Sequence, residues 1–442
     1  MVKKVIVIIL LSVGLGAFLF LRPYLIEKKE YPALVDRLPE GDFLGKAYLL
    51  DIARETSGML YYHKIPFRDF FSYEFLLGQG KMYGLNLQQP IYFFANSSGD
   101  WGALVNVTDS SKVNQGLERL AKYTDIQDTL IGEHTIYQSK ELNAYMFYDK
   151  KYLFIYKGTK FKKHYVRITQ AKKGDCSKGW SEFLKEKQFK DEKLSFYLNT
   201  KKLDEFGLEK AIFAHDSDST SFKVLSYVKN KEPFNFKLKK GGPEFKESAY
   251  KTKQLNLHFD IAKLRANPKD PLYRLILEMG SKISFPTKEF LDAWEGDLSY
   301  KQGEIQTVEE TYIESIMDDN FNVTEVEKTK EVKVPGFSIL LSMNDKGGVL
   351  LNKLFAKGIL RKENNKFYFL FSPALTFHKK DGIYYFYSGK QLPKVVESAT
   401  NNGFWKYKGT LIDFKIDSLN QQEAFGSLHF PVDRIIRKNK FF

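Results

Sequence analysis

The chain has 442 residues, 68 Lys and Arg against 54 Asp and Glu, and a formal net charge of +14. Cys176 is its one cysteine, which excludes an internal disulfide and a thiolate metal cluster. The length allows two domains, and 38 Phe, 26 Tyr and 4 Trp, many in alternating runs, point to sheet as the packing unit.

The run Val5 to Leu21, VIVIILLSVGLGAFLFL, carries no charge and follows Lys3 and Lys4. As a helix it spans about 26 Å, a little under a hydrocarbon core of about 30 Å, and Arg22 and Tyr24 suit the interface. The expectation is a cytoplasmic stub over residues 1–4, a retained transmembrane anchor over 5–22, and a single-pass membrane protein whose bulk is periplasmic. The competing expectation is signal cleavage and secretion, for which Gly14 and Gly16 are small enough, although the cut leaves an apolar new N-terminus at Ala17. Residues 23–41 read as a juxtamembrane linker. No later stretch approaches eighteen apolar residues, so the remainder reads as soluble.

From there the chain repeats itself in outline. AYLLDIAR (Ala47 to Arg54) and NLHFDIAK (Asn256 to Lys263) are strand-like runs ending in Asp-Ile-Ala and a base, with Asp51 and Asp260 expected as N-caps. IYFFAN (Ile91 to Asn96) has its counterpart in EGDLSY (Glu295 to Tyr300). The stretch Trp101 to Lys122 parallels Gly336 to Lys357: a strand, an aspartate (Asp109 or Asp345) at a helix start, then a helix. Hairpins follow at Phe147 to Gly158 and Phe377 to Lys390. KGWSEFLKEKQF and LPKVVESATNN then read as helices before the strands LSFYLNT and LIDFKID. Excess length between Lys301 and Pro335 fits an extra hairpin. The fold expected is α+β: an N-terminal transmembrane helix followed by two similar mixed sheet-and-helix halves, over 42–244 and 245–431, the latter leading into a basic C-terminal tail over 432–442.

Charge is unevenly spread. Residues 150–190 hold thirteen Lys and Arg against Asp175, Glu182 and Glu186, a net +10. Within this band Lys160, Lys162, Lys163, Arg167, Lys172 and Lys173 are the candidate anion-binding residues. A solvated face explains such a band equally well, since net charge alone speaks to solubility and non-specific attraction. As a binding surface it suits an anionic lipid, lipopolysaccharide or an acidic envelope protein, with the membrane itself engaged through residues 5–22; no nucleic acid is expected.

Catalytic motifs are absent. His63, His134, His164, His215, His258, His378 and His429 form no H-E-x-x-H. His215, Asp216 and Asp218 lie close in sequence but lack the glycine and distal glutamate of a calcium loop. Ser248 to Lys251 fits S-x-x-K, yet no K-T-G follows, and no G-x-S-x-G or glycine-rich phosphate cradle occurs. The Asn-x-Ser/Thr matches at Asn96, Asn106 and Asn322 read as chance in a bacterial chain. No cofactor, metal or catalytic residue is expected.

GLNLQQPIYFF (Gly84 to Phe94), GALVNVTDSSKVNQGLERL and YLFIYKG together resemble a family of uncharacterised Bacteroidota envelope proteins known as a domain of unknown function. The resemblance implies an envelope setting and supplies no catalytic residues. The function expected is a membrane-anchored, non-catalytic extracytoplasmic binding or structural protein of the bacterial envelope. A periplasmic carrier or chaperone for a lipid or lipoprotein is the alternative, and a hydrolase without a recognisable motif a further one.

Overall fold

The computed structural model describes residues 34–430 apart from 63, 66–67, 124, 218–220, 247–250, 318–322, 371, 390 and 408–409. The expected stub and anchor, most of the linker and the basic tail lie outside these residues. Among the described residues no helix is long and apolar enough to cross a membrane. The described residues therefore lend no support to the expected placement as a single-pass membrane protein. The α+β assignment also needs correction: the fold is mostly β, 45% strand against 26% helix, with a large antiparallel sheet.

The chain divides into two compact units. The first comprises the described residues up to Ser57 together with Phe67–Glu186, and the second comprises Gly58–Pro66 and the residues from Lys187 on. The elements up to Glu186 are β1 (Phe43–Ala47), α1 (Leu49–Tyr62), α2 (Tyr73–Met82), β2 (Ile91–Ala95), β3 (Trp101–Asn106), α3 (Ser110–Tyr123), β4 (Ile126–Ile131), β5 (His134–Ser139), β6 (Ala144–Tyr148), β7 (Tyr152–Lys157), α4 (Phe161–Gln170) and α5 (Lys178–Lys185). The strands pair antiparallel in the order β1–β2–β3–β7–β6–β5–β4. Strand β7 is buried along nearly its whole length, as its unbroken run YLFIY requires. Phe94, Phe147, Phe154 and Tyr156 are fully buried and form an aromatic core, with the Phe147 and Phe154 centroids 5.4 Å apart. Asp109 caps α3, accepting from the backbone N–H groups of Ser111 at 3.1 Å and Lys112 at 3.4 Å. Asp51 does not cap: it lies inside α1, 3.5 Å from Arg54, because the helix begins earlier than the strand-like sequence suggested.

The second unit contains β8 (Leu194–Leu198), α6 (Lys202–Glu205), β9 (Leu208–Ser217), β10 (Phe222–Asn230), β11 (Lys237–Leu238), β12 (Gly242–Phe245), β13 (Lys251–Asp260), α7 (Ala262–Ala266), α8 (Pro271–Lys282), α9 (Thr287–Ala293), β14 (Trp294–Met317), β15 (Val323–Met343), α10 (Gly347–Ala356), β16 (Leu360–Glu363), β17 (Lys366–Phe369), β18 (Thr376–Lys380), β19 (Ile383–Tyr387), β20 (Val395–Ser398), β21 (Asn401–Tyr407), β22 (Thr410–Leu419) and β23 (Glu423–Phe430). One path of antiparallel pairs runs β18–β19–β15–β14–β13–β21–β22–β23–β10–β9–β8. Leu350 and Leu354 of α10 pack with Trp294, Tyr384 and Phe386 in its apolar core. The expected helix LPKVVESATNN is instead strand β20, paired with β12; its β-branched Val395 and Val396 favour the strand.

The expected extra hairpin is a continuation of β14 and β15. Pairing of β14 with β13 ends at Gly303, and pairing of β15 with β19 ends at Ser338. From Ile305↔Pro335 to Met317↔Val323 the two strands pair with each other, an arm about 40 Å long at strand rise.

Candidate functional site

Helix α4 presents Phe161, His164 and Ile168 to the core, the spacing that places three side chains on one helical face. Lys162 and Lys163 lie on its exposed side. The chain then turns at Gly174, whose φ is +89°. The Asp175 carboxylate closes this turn by accepting from the Lys172 N–H at 2.7 Å. Helix α5 follows, with Trp180 fully buried and donating its indole N–H to the Pro39 carbonyl at 2.7 Å. Two arginines secure the same segment from the other side. Arg37 donates to the Ile168 carbonyl at 2.6 Å, and Arg167 donates to the carbonyls of Asp36, at 2.9 Å, and Asp175.

These bonds place Pro39 and Glu40 against Lys163, His164, Arg167, Asp175 and Ser177 around a cavity of about 330 Å³. Arg167 is also 3.9 Å from the Asp175 carboxylate, so it is largely occupied in holding the walls. Lys163 has no side-chain partner among the described residues. His164 is 4% exposed and lies 5.0 Å from each of the Phe94 and Tyr156 rings. Burial, aided by the neighbouring Lys163 charge, pushes its imidazole down to about 4, so the ring is neutral at pH 7. Its Nε2 has no hydrogen-bond partner, and neither does the buried Ser177 hydroxyl at the N-cap of α5. The half-buried Cys176 thiol, next to Ser177, is pushed up by burial and by the Asp36 charge.

Of the candidate residues, then, Lys163 and Arg167 line the cavity. Lys160 sits just before α4, where its N–H donates to the Tyr156 hydroxyl at 2.9 Å and its charge acts on His164. Lys162, Lys172 and Lys173 are exposed and take no part in the cavity walls. Sequence reasoning passed over His164, Ser177, Asp175, Pro39 and Glu40. His164 had a readable signal, a polar residue at an apolar position of an amphipathic helix. Pro39 and Glu40 had none, since they arrive from the far end of the unit.

A second polar cluster lies in the other unit. His258, fully buried on β13, faces Asp297 of β14, with Nδ1 3.1 Å from the carboxylate. Lys239 donates to the other Asp297 oxygen at 2.6 Å, and Glu244 lies 3.5 Å from His258 Nε2. Burial alone would push Asp297 up; hydrogen bonds from His258 and Lys239 outweigh it and hold the carboxyl below its ordinary range. Strand β12 passes over this pair so closely that a Cβ on Gly242 would stand 2.3 Å from His258 Nδ1. The Ser342 hydroxyl beside the pair accepts from the Asp297 N–H at 2.8 Å.

Other sequence candidates do not assemble. His215 is buried against Phe222, centroids 4.4 Å apart, Asp216 pairs with Lys223 at 3.4 Å, and Asp218 and Ser248 lie outside the described residues. Among the described residues no three His, Cys, Asp or Glu side chains converge to hold a metal.

No protein-family model matches the chain, and no curated protein matches it. Among solved structures it is similar to crystal form IV of TP0453, at TM-score 0.31 and 9% identity over 44% of this chain and 79% of that one. Crystal form I of TP0453 gives TM-score 0.30 and 8% identity over 46% and 81%. Likenesses at this level determine neither fold nor function.

Proposed function

We propose that this is a non-catalytic binding protein that takes a compact anionic group, of phosphate or carboxylate type, in the cavity between α4 and α5. The observation that carries the reading is the set of unsatisfied groups meeting there: Lys163 without a partner, the buried His164 Nε2, and the Ser177 hydroxyl at a helix N-terminus. A helix N-terminus and a lysine both favour negative charge. The Ser177 hydroxyl and the Lys163 ammonium supply donors, while neutral His164 is a donor or acceptor according to its tautomer. Glu40 and Asp175 on the same walls oppose the lysine and arginine, which selects a small group placed against Lys163 over a diffuse polyanion.

Trp180 sits on α5 and reports on the site by its fluorescence. Titration with inorganic phosphate should change that signal saturably, and Lys163→Ala and Ser177→Ala should each weaken binding about tenfold, the worth of one charge-assisted hydrogen bond. Absence of any phosphate response in the parent chain sinks the reading. A second reading, carriage of an apolar ligand, draws on a cavity of about 820 Å³ in the second unit, with Phe234, Phe236 and Leu419 on its walls; its size suits a small-molecule site. A chain that ignores phosphate but takes up a fluorescent acyl probe would favour it.

A further inference from the structure

Beyond Gly303 and Ser338, the arm formed by β14 and β15 pairs with no third strand among the described residues. A two-stranded ribbon of this kind is marginal alone, and its edges are ready to meet another surface. Apolar side chains stand out along it, with Ile313 67%, Met317 59% and Val323 63% exposed.

Its two faces differ. Pairing places Tyr312, Glu314, Val326, Lys328 and Lys330 on one face. There Lys328 forms an ion pair with Glu314, and the Lys330 ammonium lies 5.2 Å from the Tyr312 ring centroid. The other face carries Ile313, Ser315, Glu325, Glu327 and Glu331. These three glutamates are exposed, and none has an ion pair among the described residues. Residues 304–335 hold nine Asp and Glu against Lys328, Lys330 and Lys333, a net −6 in a chain of +14.

Charge decides what covers this face. A second arm would set −6 against −6, so the partner is basic. The chain itself carries such a surface: Lys162, Lys172 and Lys173 are exposed, have no side-chain partner among the described residues, and lie in the band with a net +10. We propose that the acidic face of the arm docks on the Lys162, Lys172 and Lys173 surface of a second copy of the chain. The proposal rests on the reading that the basic band takes an anionic partner. It uses the lysines outside the cavity, so phosphate binding and self-association fail separately.

The test is sedimentation velocity of the full chain over a range of concentrations at low and high salt. The parent should associate with concentration and dissociate as salt screens the charges. Glu325→Lys with Glu327→Lys and Glu331→Lys should weaken association roughly ten- to hundredfold, the sum of three exposed pairs. Lys162→Glu with Lys172→Glu and Lys173→Glu should do the same. Mixing the two variants should restore association, because a basic arm then meets an acidic band. A parent that stays monomeric at low salt, or a mixture that stays monomeric while both variants keep the parent's circular-dichroism spectrum, overturns the proposal. Should either triple reversal disturb the fold, the corresponding glutamine substitutions replace it, and association unchanged in both glutamine variants overturns the proposal equally.

Discussion

Two strand pairs follow the same route in the two units and are filled in opposite ways. In the first unit β1–β2 leads on to β3 and β7, with helices after β1 and one after β3. In the second, β13–β14 leads on to β15 and β19, again with helices after the first strand and one after the third. On β1 and β2, Gly45 faces Phe93, whose ring lies across the glycine. On β13 and β14, His258 faces Asp297. An aromatic filling is complete once the ring covers the backbone. An ionic one needs its remaining lone pairs and protons answered; here Lys239, Ser342 and the close backbone of Gly242 surround it, and His258 Nε2 lies 3.5 Å from Glu244 without a hydrogen bond. The lesson is that strand order leaves the chemistry of the buried face open; the segment laid over the face decides which filling holds.

The largest expected break of this contrast is Asp297→Ala. It strands Lys239 and His258 without their carboxylate and should lower stability by about 3–5 kcal/mol, as loss of one member of a buried ion cluster does. Replacing His258 and Asp297 together by leucine should recover much of that loss. Urea denaturation of the single and double variants measures both, and a single variant that loses under about 1 kcal/mol would show that the pair contributes little more than a surface bridge.

A smaller effect separates the two coverings themselves. A Cβ on Gly242 meets His258 Nδ1 at 2.3 Å and Asp297 Oδ1 at 2.4 Å, whereas one on Gly45 meets the far edge of the Phe93 ring at 2.1 Å. The Phe93 ring is half-buried and can swing aside, while the hydrogen-bonded pair under Gly242 cannot. Gly242→Ala should cost about 1–3 kcal/mol, in the range of overpacking, and Gly45→Ala should cost less. Equal losses in the same denaturation assay would contradict the difference drawn between the two fillings.

A further effect is pH-dependent. His164 titrates at about 4 when folded and near 6.5 when unfolded. Between those values the unfolded chain binds more protons, so His164 contributes its full stability above about pH 6.5 and loses it as pH falls toward 4. His164→Phe, which keeps a ring against Phe94 and Tyr156, should flatten that decline in melting temperature. His215 in the second unit, also held down by burial, adds to the remaining slope. An unchanged slope in the variant would place the acid sensitivity elsewhere.

What was legible in the sequence follows the range of the interaction behind it. The hairpin of β6 and β7 is written locally, in alternating aromatics around the turn Asp149-Lys150-Lys151, and it formed as read. Asp109 before α3 likewise acts over three residues. Ambiguity arose where short apolar runs suit either structure: Leu49 and Leu50 begin a helix although they continue a strand-like pattern, and Val395 with Val396 make a strand where a helix was expected. The arm was visible only as surplus length, because its mixed Glu, Lys and Val alternation has no core against which to fix a strand. The cavity was legible only in part, through Lys163 and Arg167 of the basic band, and its closure was not. The bond that builds it joins Trp180 to Pro39, 141 residues away, and nothing near either residue announces the other.

Cys176 turns the cavity into a place that can be watched. It is the chain's only thiol, so an alkylating probe marks one position without any engineering. Burial and Asp36 keep the thiolate scarce, which makes labelling slow and sensitive to small changes in access. Its neighbour Ser177 lines the cavity, so the labelling rate becomes a clock for occupancy, read by mass spectrometry in a mixture or in a cell, where tryptophan fluorescence cannot be isolated.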